Sequence, residues 1–201
     1  AYKDVKGQAL FVRARSFHQM IGLWGKAYDE TTADTDLGIV LRLNDDFNEK
    51  STRASVRQSY QQIIQDLKEA ANLLPVQVVS AIRPNKAAAY GLLARVYLSM
   101  RVYDQARLYA DSCLQLNSQL LDYHTLSRTT NFPFARFNKE VIYESFMPVP
   151  APISTTRAKL VLSLYNSYET NDLRKVLFYR PNGDGSYRFK GSYEGTGNLF
   201  S

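Results

Sequence analysis

The sequence predicts a mainly α-helical chain: tetratricopeptide-like helical repeats with long loops and a small β-hairpin element near the C-terminus. Three observations predict it. Apolar residues recur at three- and four-residue spacing in four segments before residue 120, the period of one helix face. Tyr90, Leu93, Ala94 and Tyr97, followed by Ala106 and Ala110, have the large, large, small, aromatic order of a tetratricopeptide unit. Beyond residue 120 that period gives way to loops, an alternating segment and an Asn-Gly-Asp-Gly turn. With 201 residues and 45% hydrophobic content the chain can bury a sizeable core. We expect one domain over 1–201, divided into a helical part at 1–120 and a loop-rich part at 121–201.

The first helix runs from Asp4 to about Trp24, with Leu10, Ala14, Phe17, Ile21 and Trp24 on its apolar stripe. From Gly25 to Thr52 the periodicity disappears, and Gly, Thr, Asp and Asn dominate apart from the patch Gly38-Ile39-Val40-Leu41. A second helix opens near Ser51 or Thr52, either of which could cap it. It carries Val56, Tyr60, Ile63, Ile64, Leu67, Ala70, Ala71 and Leu74 inward and ends at Pro75. Pro84 suits the first turn of a third helix containing Ala87, Ala88, Tyr90, Leu93, Ala94 and Tyr97. After a break at Met100 to Val102, a fourth runs from Tyr103 to about Leu116. Glu140 to Phe146 alternates apolar and polar residues and reads as a strand, ended by Pro148, Pro150 and Pro152. A short helix is expected from Ala158 to Tyr168. Lys175 to Lys190 then reads as a hairpin whose two aromatic-rich arms flank Pro181-Asn182-Gly183-Asp184-Gly185.

Ala94 and Ala106 are small where the third and fourth helices must cross, which allows close contact while the aromatics fill the sides. The first two helices repeat the pattern more weakly, through Leu10, Ala14 and Phe17 against Ile63, Leu67 and Ala70. Their connector is far longer than a repeat needs. Because the helices already supply the core, the inserted Gly25 to Thr52 loop reads as a binding device. Trp24 stands at its root. As the last member of the apolar stripe it reads as core ahead of an exposed stacking platform.

Composition narrows the function. The net charge of +6 raises the question of nucleic acid, but Lys and Arg are scattered among acidic residues and no recognition motif accompanies them, so none is expected. No apolar stretch approaches the roughly 18 residues that cross a bilayer. The chain starts at Ala1 without Met, and we expect a processed chain or an internal piece. Cys113 stands alone and reads as a small buried hydrophobe. His18 and His124 lack partners at metal-ligand spacing, and the Asn182 to Ser186 run lacks the glutamate of a calcium loop, so neither a metal nor a cofactor is expected. The pairs Asp45-Asp46 and Glu140 with Glu144 could suggest a glycosidase. Loop solvation and a shared strand face explain them better, and we expect no enzyme. Asp172 and Arg174 suit a structural pair ending the preceding helix.

Fourteen tyrosines, ten phenylalanines and one tryptophan would suit sugar recognition, because aromatic faces stack on pyranose rings while polar side chains bond the hydroxyls. Tyr60, Tyr90, Tyr97 and Tyr103 fall on packing positions. Trp24, Tyr28 and Tyr123 remain as loop aromatics, with Asp29, Asp34, Asp36, Asn44 and Asp45 as polar partners. The candidate ligand-binding set is Trp24, Tyr28, Asp29, Asp34 and Asp36.

Four segments, taken in order, resemble the SusD/RagB family of outer-membrane nutrient-binding lipoproteins. The first is Gly7-Gln8-Ala9-Leu10-Phe11-Val12-Arg13-Ala14 through Phe17, ending in Leu23-Trp24-Gly25. The second is Ser51-Thr52-Arg53 leading into Tyr60-Gln61-Gln62-Ile63-Ile64-Gln65-Asp66-Leu67-Lys68-Glu69-Ala70 and Leu74-Pro75. The third is Asn85-Lys86-Ala87-Ala88-Ala89-Tyr90-Gly91-Leu92-Leu93-Ala94-Arg95-Val96-Tyr97-Leu98 with Tyr103-Asp104-Gln105-Ala106. The fourth is Asn138-Lys139-Glu140-Val141-Ile142-Tyr143, with Asn171-Asp172-Leu173-Arg174 and Phe189-Lys190-Gly191 downstream. The resemblance implies a non-catalytic, surface-exposed lipoprotein of the outer membrane that captures a glycan or peptide and passes it to a TonB-dependent (SusC-like) transporter. Family members are usually more than twice this length and carry a lipid-bearing cysteine, so this chain reads as an internal portion or shortened relative. Membrane attachment would then run only through a lipid anchor absent from it. The repeat alone leaves a second reading, a tetratricopeptide adaptor that grips peptides in a helical groove.

Overall fold

The computed structural model describes residues 2–145, 147–148, 154, 157–193, 195 and 199–200. It contains two compact units, residues 1–79 with 83–118 and residues 80–82 with 119–201.

The first unit is built on four helices: α1 (Tyr2–Trp24), α2 (Val56–Leu73), α3 (Lys86–Ser99) and α4 (Tyr103–Leu116). Consecutive helices pack on one another along the chain, the arrangement a helical repeat requires. Helix α1 buries Leu10, Phe11, Ala14, Phe17 and Ile21, its stripe at three- and four-residue spacing. Against it α2 buries Val56, Tyr60, Ile63, Leu67, Ala70 and Ala71. Each fully buried Leu or Ile removes apolar surface from water at a gain of about 1.5–3 kcal/mol. Two ion pairs join α1 to α2: Lys6 with Glu69 at 2.6 Å at the exposed rim, and Arg13 with Asp66 within the seam. Arg13 Nε and Nη2 each donate to the Asp66 carboxylate at 2.7 Å, and Gln62 adds a third donor at 2.8 Å.

Ser55 caps α2, in place of the expected Ser51 or Thr52. Its hydroxyl accepts from the Gln58 N–H while the Gln58 side chain accepts from the Ser55 N–H, a reciprocal capping box. Residues 53–55 are strand rather than the lead-in to a helix, which moves the cap downstream. Strand β1 (Leu37–Val40) pairs antiparallel with β2 (Arg53–Ser55). The inserted loop is thus a folded hairpin arm whose outer segment, 41–52, reaches into solvent. Asn85 caps α3 by accepting from the Ala88 N–H, so Pro84 lies just outside the first turn where it was expected.

Helix α3 ends in a Schellman turn: the Arg101 N–H donates to the Leu98 carbonyl at 3.0 Å and the Val102 N–H to the Tyr97 carbonyl at 2.9 Å. Arg101 occupies the left-handed position, φ 62°, where glycine is favoured. Arg101→Gly is expected to raise stability by about 1 kcal/mol, read as a higher urea midpoint at unchanged slope. A lower midpoint would contradict this. Tyr97 stacks on Tyr109 at 5.5 Å between ring centres, joining α3 to α4, and Cys113 is buried.

The second unit has an aromatic core. Phe134 and Leu177 are fully buried, and Phe134 stacks on Tyr193 at 4.6 Å. Its elements are a 3-10 turn (Tyr123–Thr125), β3 (Met147–Pro148), α5 (Leu162–Ser167), α6 (Leu173–Phe178), β4 (Tyr179–Pro181), β5 (Tyr187–Phe189) and β6 (Leu199–Phe200). Strand β3 pairs antiparallel with β6, and β4 with β5. The latter is the expected hairpin, turned at Gly183 and Gly185 with φ of 82° and 81°; its first arm begins at Tyr179 because Leu173–Phe178 is helical.

The strand expected over Glu140 to Phe146 does not form over residues 140–145; Phe146, Pro150 and Pro152 lie outside the described residues. Asn138 draws this segment into a turn, its side chain accepting from the Glu140 N–H and its carbonyl from the Val141 N–H. Glu140 and Glu144 consequently share no strand face. Glu140 accepts from the Leu121 N–H and the Tyr193 hydroxyl, while buried Glu144 pairs with Arg136 at 2.7 Å. Burial, then hydrogen bonds with the Tyr123 hydroxyl at 3.1 Å and with Glu140, push the Tyr193 phenol well above its ordinary range. The helix expected over Ala158 to Tyr168 is confined to Leu162–Ser167. Asp172 and Arg174 do pair, at 2.6 Å, but Asp172 caps the following helix α6 rather than ending the one before it.

Candidate functional site

The first unit carries a cleft of about 430 Å³ where α1 ends, lined by Trp24, Gly25, Lys26, Thr35, Asp36, Leu37 and Arg53. Trp24 is 66% exposed. It had been expected as core because it continues the stripe. However, α1 and α2 run antiparallel, and Gly7 already lies against Leu73 and Leu74, so the last turn of α1 reaches the level where α2 begins. The indole there stands beyond the stretch of α2 that buries the rest of the stripe, in keeping with its exposure.

Arg53 shapes this cleft. Its Nε donates to the Gly38 carbonyl at 2.7 Å and its Nη2 to the Trp24 and Leu37 carbonyls at 2.9 and 3.0 Å, tying the end of α1 to β1. Asp36 accepts from Lys26 Nζ and from the Thr32 hydroxyl, and these donors hold its carboxyl below the usual range. Its backbone carbonyl takes the Val56 N–H at 2.9 Å, anchoring the loop to the first residue of α2. The result is an exposed indole beside an ordered cation–carboxylate pair, an apolar face next to groups that can donate and accept hydrogen bonds.

The remaining candidate residues are placed elsewhere. Tyr28, expected as an exposed loop ring, is only 4% exposed: it packs edge-on against Tyr60 at 5.3 Å. Its hydroxyl donates to Glu30 at 2.6 Å and accepts from Arg57 Nη1 at 2.9 Å, and burial pushes its phenol up to about 12. Asp29 accepts from the N–H and hydroxyl of Thr31 at 2.9 and 2.6 Å, closing a turn, and those bonds lower its pKa. Asp34 pairs with Arg57 Nε at 2.8 Å. Tyr28 and Asp29 border a second cleft of about 620 Å³, together with Glu30, Met100, Arg101, Val102, Tyr103 and Asp104. The two clefts share no lining residue. Of the five candidates, therefore, Trp24 and Asp36 meet at the first cleft, while Tyr28 and Asp29 border the second and Asp34 joins Tyr28 on Arg57.

Tyr123 is built into the aromatic packing of the second unit, 5.6 Å from Phe134. Asn44 and Asp45 lie on the exposed 41–52 arm, where Asn44 donates to Glu49 at 2.6 Å. Among the described residues no group of three or more His, Cys, Asp or Glu is arranged to hold a metal ion, and no helix is long and apolar enough to cross a membrane.

Sequence reasoning missed Arg53 and Arg57 as organising residues. Their signal was present: two arginines four apart, flanking the Ser55 cap, face a loop carrying Asp29, Glu30, Asp34 and Asp36.

Residues 1–98 match the SusD-like family model described as starch-binding, associating with the outer membrane. Over that stretch, just under half of the chain, the sequence is similar to the SusD-like family. Among solved structures it is similar to a SusD-like carbohydrate binding protein from Bacteroides vulgatus, with a TM-score of 0.75 and 19% identity over 98% of this chain and 47% of that one. A SusD superfamily protein from Bacteroides thetaiotaomicron gives 0.74 and 22% over 98% and 49%. Another from B. vulgatus gives 0.55 and 28% over 61% and 28%. The first two likenesses show a shared fold across nearly the whole chain, and this chain spans about half their length. No curated protein sequence matches it.

Proposed function

We propose that this chain is the saccharide-binding part of a non-catalytic surface protein that captures a glycan and passes it to a TonB-dependent outer-membrane transporter. The observation that carries the reading is the exposed Trp24 indole at the rim of a cleft furnished with Lys26, Asp36 and Arg53. An exposed indole held beside fixed polar groups is costly to leave in water and suits a sugar ring, whose C–H face covers the aromatic surface while its hydroxyls meet the charges. Trp24 and Asp36 contact the ligand, and Arg53 positions both through the backbone. Tyr28, Asp29 and Asp34 form the frame on which the loop is folded. The family model's description and the carbohydrate-binding B. vulgatus relative support the ligand class.

Calorimetric titration against a panel of neutral oligosaccharides, starch-type ones included, tests this. At least one should bind, and Trp24→Ala should weaken it about tenfold, the worth of one well-stacked aromatic contact. Unchanged affinity in a folded Trp24→Ala protein would place the site elsewhere. Failure of every saccharide to bind would remove the reading. Co-purification of a TonB-dependent transporter with the chain tests the hand-off separately.

A further inference from the structure

The β4–β5 hairpin sets Arg180 directly opposite Arg188 in its register, with Lys190 two residues beyond Arg188, so alternation places all three on one face. Like charges directly opposite one another on a two-stranded ribbon repel. Lys190 is 93% buried by its 7% exposure, and its Nζ donates to the Arg128 and Thr130 carbonyls at 2.8 and 3.0 Å. Arg180 donates to the Asn131 side chain. The segment 128–131 thus lies over the cationic face. Among the described residues none of the three cations pairs with a carboxylate, and the Nε atoms of both arginines are buried without a hydrogen-bond partner. Burial, then the neighbouring arginine, lowers the pKa of Arg180 and of Lys190 alike. Leaving a charged donor unmet in a partly dry place costs more than leaving it in water, so among the described residues this cluster lacks a counter-charge.

We propose that Arg180, Arg188 and Lys190 form an oxyanion site, which takes a carboxylate or sulfate group. Both arginines are half-buried, which leaves part of each guanidinium open to solvent. The planar fork of donors matches the oxygen spacing of such groups, and Lys190 contributes fixed positive charge from below. The oxyanion could be a free inorganic ion or a substituent on a saccharide. The inference stands on the second unit alone and does not depend on the Trp24 cleft.

The test is a thermal-shift and calorimetric titration at constant ionic strength with sodium sulfate, methyl glucuronide and neutral methyl glucoside, on the wild-type chain and on Arg188→Gln and Arg188→Lys. Sulfate or the glucuronide should bind and raise the melting temperature, with methyl glucoside inert. Binding of sulfate identifies a free-anion site; binding of the glucuronide alone identifies one that reads an acidic sugar. Arg188→Gln should melt no lower than wild type in chloride yet bind the anion about tenfold more weakly, having lost one charge-assisted contact. Arg188→Lys, which keeps the charge without the fork, should fall between. Absence of binding by either anion, or equal binding by Arg188→Gln, would overturn the proposal.

Discussion

Arg13→Ala is expected to lower the free energy of unfolding by about 3–5 kcal/mol, because it leaves a charged carboxylate in the α1–α2 seam without its partner. Asp66 is 2% exposed and receives two bonds of 2.7 Å from Arg13. After the substitution Gln62 is the one side-chain donor left to that carboxylate among the described residues. The reverse change, Asp66→Ala, should cost less, about 2 kcal/mol, since the Arg13 side chain is a third exposed and its guanidinium can return to water. The double variant should therefore be less damaged than the two single losses added together. Equilibrium urea unfolding followed by circular dichroism checks all three. Equal effects of the two single variants would mean that the carboxylate is hydrated rather than buried.

Gly38→Ala should cost about 3 kcal/mol through overpacking and weaken any ligand held in the Trp24 cleft as well. A Cβ at position 38 would lie 2.2 Å from Ser59 Oγ, 2.5 Å from the Ser55 carbonyl oxygen and 2.8 Å from its carbon. Two of those atoms are backbone of the residue that caps α2. The Ser59 hydroxyl is also committed, accepting from the Ile39 N–H at 3.1 Å and donating to the Ser55 carbonyl at 2.8 Å. Relief thus requires β1 to move away from α2. That motion withdraws the Gly38 and Leu37 carbonyls from Arg53, the residue that sets the cleft. Stability by urea unfolding and affinity by calorimetry should fall together. A destabilised Gly38→Ala protein with wild-type affinity would separate the cleft from its supposed support.

The helices were legible because their stripes are regular: Leu10, Ala14, Phe17 and Ile21 on α1, and Val56, Tyr60, Ile63, Leu67 and Ala70 on α2, are all buried in the structure. The hairpin turn was legible because Asn-Gly and Asp-Gly accept positive φ at little cost. The strand expected over 140–146 misled because alternation records only a period, whereas Asn138 bonds its own following backbone and bends the chain. At the cleft, sequence periodicity ranked Trp24 as buried and loop composition ranked Tyr28 as exposed, and the structure reverses both. Burial at the end of a helix depends on how far its neighbour extends, and burial within a loop depends on which cation folds it. Neither is a local property. Arg57, reaching Glu30, Asp34 and the Tyr28 hydroxyl from the first turn of α2, is what draws the loop inward.

Trp24 is the chain's only tryptophan, so its fluorescence reports on the cleft alone. Titrating the intact chain with a neutral oligosaccharide that binds by calorimetry, while recording tryptophan emission, tests the central claim most directly. The account predicts the emission of a water-exposed indole in the free chain and a saturable shift toward that of a covered one, with the midpoint at the calorimetric dissociation constant. Emission that stays unchanged while calorimetry shows the saccharide bound would contradict it.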